Sequence, residues 1–175
     1  HIWEDLWDNK KDIIKNRILY KIGKGMINIG ARECSIDEIS REEANLFFEK
    51  NHLQGRTIPF KCVAIKKDGE ILSCIAIGRR SIGKKINDNF EILRFCNKLG
   101  YNIMGGFSRL FNYVYKINPG NYISYADLSW GEGEVYRHAG FNLIRYSKPN
   151  YWYFIKGKRF HRYTYRKSEL VKWGY

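Results

Sequence analysis

Asp127 and Tyr136 are the residues whose types and spacing best suit proton chemistry. Asp127 closes the stretch Ser124-Tyr125-Ala126-Asp127, just past a strand-like run, where open sheets place functional side chains. Tyr136 follows nine positions later on a short helical pattern, so both can reach one crevice. A carboxylate can orient a proton-transfer partner or ligate a metal, and a phenol can donate a proton to a leaving group. The structural alternative makes Asp127 a helix N-cap and Tyr136 a core aromatic with a satisfied hydroxyl. His52, in Asn51-His52-Leu53-Gln54-Gly55 at a helix end, can serve as base or ligand, or as a surface histidine favoured by the helix dipole.

A second chemistry is anion binding. Gly105-Gly106-Phe107-Ser108 stands where a strand turns into a helix, and two glycines there let backbone N–H groups approach a phosphate. The alternative is a tight turn that binds nothing. A third is polyanion binding. From Lys148 to Tyr175 there are eight Lys and Arg, one Glu and nine aromatics. Arg79, Arg80, Arg94, Lys148, Lys156, Lys158, Arg159, Arg162 and Arg166 are the candidate nucleic-acid contacts, with cations tracking phosphates and rings packing or stacking on bases.

The whole chain supports that last reading. Its 175 residues carry 31 Lys and Arg against 18 Asp and Glu, a net +13, with 16% aromatics. That charge is awkward for an enzyme of small soluble metabolites and suits a nucleic-acid partner. No apolar run approaches the roughly 20 residues of a membrane span. No signal peptide is legible, so the interior of a host cell is the expected, cytoplasmic location. Cys34, Cys62, Cys74 and Cys96 form no C-x-x-C pair, and as buried thiols they suit a reducing compartment.

These side chains need elements to position them. Leu6, Ile13, Ile14, Ile18 and Ile22 recur near helical spacing, predicting a helix over residues 5–20, before the break at Gly23 to Gly25. A strand over residues 27–36 follows. Ser40-Arg41-Glu42-Glu43 is a capping-box pattern opening a second helix. Residues 60–66 and 71–77 read as a hairpin across Lys67-Asp68-Gly69, and 90–96 as a further strand. Beyond the Gly105-Gly106 helix come a strand at 122–126, a helix near 132–139, and a strand at 141–146. A hairpin of 151–155 with 160–165 closes the chain, and its alternation sets Arg162 and Arg166 on one face with Phe160 and Thr164. The fold class is α/β (α+β), a mixed central sheet flanked by helices with an N-terminal helical appendage.

The element order from residue 27, the Gly-Gly helix start and Tyr136-x-x-x-Gly140-Phe141 resemble the GNAT acyltransferase fold. The resemblance implies that Gly105, Gly106 and Ser108 hold an acetyl-CoA or related acyl-CoA and that Tyr136 protonates the departing thiolate. Asn51-His52-Leu53-Gln54-Gly55, Leu93-Arg94-Phe95-Cys96-Asn97-Lys98, Ile123-Ser124-Tyr125-Ala126-Asp127 and Lys148-Pro149-Asn150-Tyr151 look like a GNAT-like module carried behind the nuclease domain of phage homing endonucleases. More distantly, the module is similar to phage Mom-type proteins that modify adenine in DNA. That likeness implies a site of His52, Asp127 and Tyr136 around iron.

Residues 1–25 look like the last strand and helix of a very-short-patch-repair-type nuclease plus a linker, and residues 26–175 like the GNAT-like domain. His1 in place of Met suggests a piece of a longer protein. The nuclease's catalytic residues would lie upstream, so this chain is not expected to cut DNA by that route. Two functions follow. One is transfer of an acyl-derived group to a DNA base amine, with His52 and Asp127 positioning the reactants. The other is a non-catalytic module that targets an upstream nuclease domain of the same polypeptide to DNA.

Overall fold

Two strands at the centre of the chain are apolar on both faces, and this decides the architecture. In β3 (Lys61–Lys67) and β4 (Glu70–Arg79), Cys62, Cys74 and Ala76 face one side while Val63, Ile65, Ile75 and Ile77 face the other. Sheets that read as nearly continuous apolar runs are covered on both faces. Here α2 (Arg41–Asn51) lays Ala44, Phe47 and Phe48 on the small side chains. On the larger ones, α3 (Gly106–Ile117) lays Phe107, Leu110 and Val114. Ser40 starts α2 as the capping pattern predicts, its Oγ accepting the Glu43 N–H at 3.0 Å.

The computed structural model describes residues 2–79 and 89–174; the candidate Arg80 lies outside the described residues. It shows a mixed α/β architecture, a central sheet flanked by helices with an N-terminal helix. The sheet adds β2 (Ser35–Ile39), β5 (Asn89–Asn97) and β7 (Asn121–Ile123) in the order β2-β3-β4-β5-β7. Its pairs are antiparallel except the last. Asn89, Phe90 and Glu91 of β5 run parallel to Asn121, Tyr122 and Ile123 of β7, joined through α3. The ladder covers only those three pairs, because β7 ends at Ile123. The register of β4 on β5 skips Leu93, and Gly78 leaves room for that side chain: a Cβ on Gly78 would come 2.9 Å from Leu93 Cδ1.

The remaining elements are smaller. β1 (Ile27–Gly30) pairs in parallel with β6 (Tyr101–Met104), and a 3-10 turn over Ala31–Glu33 separates β1 from β2. The strand predicted over 27–36 is thus two strands broken by that turn. α4 (Glu134–His138) follows β7. The strand predicted at 141–146 is an irregular segment in which Leu143, Ile144 and Tyr146 are exposed; no sheet edge takes it up among the described residues, and alternation alone does not make a strand. β8 (Trp152–Ile155) and β9 (Lys158–His161) form the last hairpin, turning on Lys156 and Gly157 with φ of 48° and 75°. β9 ends at His161, whose Nδ1 accepts the Tyr163 N–H, and Arg162–Tyr165 is a 3-10 turn before α5 (Lys167–Lys172). Arg162 and Arg166 therefore do not share a strand face.

The chain divides into two compact units, residues 12–142 and residues 1–11 with 143–175. The N-terminal helix α1 (Glu4–Lys21), close to its predicted bounds, is kinked at Lys10 (φ −135°, ψ 31°), beside that division. Within the larger unit, α1 buries Ile13 and Ile14, and Asn16 Oδ1 accepts the Gly100 N–H at 2.7 Å. Full burial of an Ile is worth about 1.5–3 kcal/mol. Among the described residues, no helix is long and apolar enough to cross a membrane.

Candidate functional site

The turn into α3 has the form that anion binding needs. Gly105 is left-handed at φ 73°, and a Cβ on Gly106 would sit 3.1 Å from Ile103 Cβ and Cγ2. Two glycines thus let the helix start directly against β6. The turn opens on a groove of about 610 Å³ whose lining includes Arg32, Gly105, Ser108 and Asn112. Arg109 also lines it, but its Nη1 donates to the Cys34 carbonyl at 2.9 Å. Helix N–H groups, the Ser108 hydroxyl and the Arg32 cation face this groove together with the Glu33 carboxylate, whose charge opposes that of Arg32.

Asp127 caps its own turn rather than a helix. Its Oδ1 accepts the Ser129 N–H at 3.0 Å and the Ser129 hydroxyl at 2.6 Å, while α4 starts from Gly133 at φ 77°. Ala126 and the Tyr136 ring close on Gly133, where an added Cβ would lie 3.2 and 3.7 Å from them. Tyr136 meets Phe107 edge-on at 5.3 Å and Phe141 at 5.7 Å, so its ring belongs to the core margin.

Arg17 of α1 joins these residues. It stacks on Trp130 at 5.0 Å and lies within electrostatic reach of Cys96, Asp127 and Tyr136. Burial holds its guanidinium below the ordinary value, and those three groups pull the other way. The Cys96 thiol is pushed up by burial, with Arg17 opposing. Arg17 is not among the candidates drawn from the sequence. The available signal was spacing: Arg17 follows Ile13 by four and Ile14 by three, which puts it on the buried face, where a cation requires partners.

His52 is the C-cap of α2. Its N–H donates to the Phe48 carbonyl at 2.8 Å, its Nδ1 accepts the Gln54 N–H at 3.1 Å, and its ring stands edge-on to Phe48. Iron on His52, Asp127 and Tyr136 would share the Asp127 carboxylate with the Arg17 cation, which opposes metal binding there. The described residues contain no group of three or more His, Cys, Asp or Glu placed to hold a metal.

The basic candidates separate by what holds them. Arg94 is bound into the fold: it donates to the carbonyls of Gly55 at 3.1 Å, Leu93 at 2.7 Å and Arg56 at 3.4 Å. Arg79 covers Phe60 at 4.0 Å. In the hairpin unit, Arg159 pairs with Asp5 at 2.8 Å and lies over Trp3 and Trp152. Arg166 pairs with Glu169, whose carboxyl the hydrogen bonds of Arg166 and Lys172 hold below the usual range. Arg162 lies over Tyr151 at 5.8 Å and Tyr163 at 5.1 Å. Lys148, Lys156 and Lys158 are exposed.

The mixed sheet with a parallel closing pair and helices on both faces defines an α/β class. No protein-family model matches the chain, and no curated protein matches it. Among solved structures, it is similar to an integron cassette protein from the mobile metagenome of V. cholerae. The likeness covers 71% of this chain and 94% of that one at 13% identity and a TM-score of 0.50, and it concerns the fold alone.

Proposed function

We propose that this chain is a DNA-acting module of a phage or mobile-element protein, built on a GNAT-like domain at residues 26–175 behind the end of a nuclease domain at 1–25. One observation carries the DNA-acting part: the hairpin unit keeps its aromatic rings at the surface, beside guanidinium and ammonium groups, in a chain of net charge +13. Cations neutralise phosphates and rings offer stacking faces, a combination suited to polynucleotides. In this reading Lys148, Lys156 and Lys158 are phosphate contacts, and Arg94 is a structural residue. The test is the salt dependence of binding to labelled DNA. Affinity should fall linearly on a log–log plot, and the double variant Lys156→Ala, Lys158→Ala should lower the slope by about 2. A salt-independent affinity, or none, removes the reading.

The α3 turn favours a second reading, in which the module also modifies DNA. The strand order, with a parallel β5–β7 pair across α3, is what supports the GNAT-like assignment. A bound acyl-CoA would supply an activated acyl group for a base amine. The N–H groups at Gly106 and beyond, with Ser108 and Arg32, would hold its pyrophosphate, and the Tyr136 hydroxyl would give its proton to the departing thiolate and regain one from the acylated amine. Calorimetry with acetyl-CoA tests this: micromolar binding lost in Arg32→Ala supports it, and no heat under any condition removes it.

A further inference from the structure

Four side chains in the hairpin unit form a continuous ribbon of ring, cation, ring, cation. The Arg162 guanidinium lies 5.8 Å from the Tyr151 ring centre and 5.1 Å from that of Tyr163, and Arg166 lies 5.7 Å from Tyr163 on its way to Glu169. Both tyrosines are more than half exposed, at 54% and 55%. Arg162 also places its Nε out of solvent without a hydrogen-bond partner among the described residues. Leaving a buried guanidinium N–H unpaired costs free energy unless something else approaches it.

The charges around the ribbon are partly cancelled. Asp5 neutralises Arg159, and Glu169 accepts from both Arg166 and Lys172. A surface meant to follow duplex DNA gains most from many unneutralised cations, each releasing counterions from a phosphate. This surface has given up part of that gain and kept its ring faces. In a duplex, bases are stacked on one another and offer a protein only their edges. Unpaired bases offer their faces, which rings and guanidinium planes can cover.

We infer that the Tyr151–Arg162–Tyr163–Arg166 ribbon is a stacking platform for unpaired bases, so that the module prefers single-stranded DNA to duplex. This rests on the DNA-acting reading and narrows it. The rings of Tyr151 and Tyr163 carry the bases, and Arg162 is the cation between them.

The experiment is fluorescence anisotropy of the full chain with a labelled oligothymidine and with a duplex of equal length, at one salt concentration. The single strand should bind about tenfold tighter or more. Tyr151→Ala and Tyr163→Ala should each weaken it about tenfold while leaving duplex affinity nearly unchanged, and Tyr163→Trp should retain binding because an aromatic face remains. Duplex binding equal to or tighter than single-strand binding overturns this inference and leaves the DNA-acting reading standing. So does an unchanged single-strand affinity in both alanine variants. No binding to either DNA overturns both.

Discussion

In residues 12–142 the rings of Phe107, Phe111, Tyr122 and Phe141 interlock, with Phe111 4.9 Å from Phe141, 5.1 Å from Tyr122 and 6.0 Å from Phe107. In the hairpin unit Tyr151, Trp152, Phe154, Tyr163 and Trp173 stay exposed. Both regions are rich in aromatics, so composition does not separate them. The difference lies in the elements available: a five-stranded sheet with helices on both faces can enclose rings, and a two-stranded hairpin with the short α5 and the first turns of α1 cannot. Rings that a fold cannot enclose are available to a ligand.

The sharpest way to break that contrast is to delete one ring from each region. Phe107→Ala should cost about 3–5 kcal/mol, whereas Phe154→Ala, at a 58% exposed position, should stay within about 0.5 kcal/mol. Urea denaturation of the two variants checks this, and equal losses would mean that the hairpin rings are core after all. A smaller effect probes what does order the hairpin unit. Asp5→Ala leaves half-buried Arg159 without its carboxylate and should cost about 1–3 kcal/mol. Hydrogen exchange should accelerate across β8 and β9 and stay unchanged across β3 and β4.

The smallest effect concerns the larger unit alone. Burial pushes the Cys62 thiol up from 9.0 to about 11, so the folded chain keeps a proton that the unfolded chain releases. Its contribution to stability is full below pH 9 and is lost as the pH rises through about 11. Urea midpoints along that range, in the wild type and in Cys62→Ala, should diverge at neutral pH and converge at the alkaline end. Native Cys62 should also resist alkylation until the chain unfolds.

Most of the larger unit was legible because its signals are local. Ser40 three before Glu43 gives the α2 cap, Lys67-Asp68-Gly69 gives the β3–β4 turn, and Gly105-Gly106 gives the start of α3. The short parallel pairs β1–β6 and β5–β7 join residues far apart in sequence, and no local pattern announces them. The same holds at the candidate site. Asp127 and Tyr136 could be chosen by type, but Arg17 comes from another element and is set by how α1 packs. In the C-terminal hairpin, alternation continues past His161 while the strand does not, because the His161 ring takes the Tyr163 N–H and the backbone winds into the 3-10 turn.

Asp5 and Arg159 are 154 positions apart, and all of residues 12–142 is made between them. During synthesis the segment carrying Trp3 and Asp5 emerges early and can pair only after β9 has been translated. The larger unit is by then complete and able to fold on its own schedule, since domains generally fold as units as the chain emerges. Closure of so long a loop is slow relative to hairpin formation. The ring-bearing surface is therefore assembled only after the whole of the larger unit has been translated.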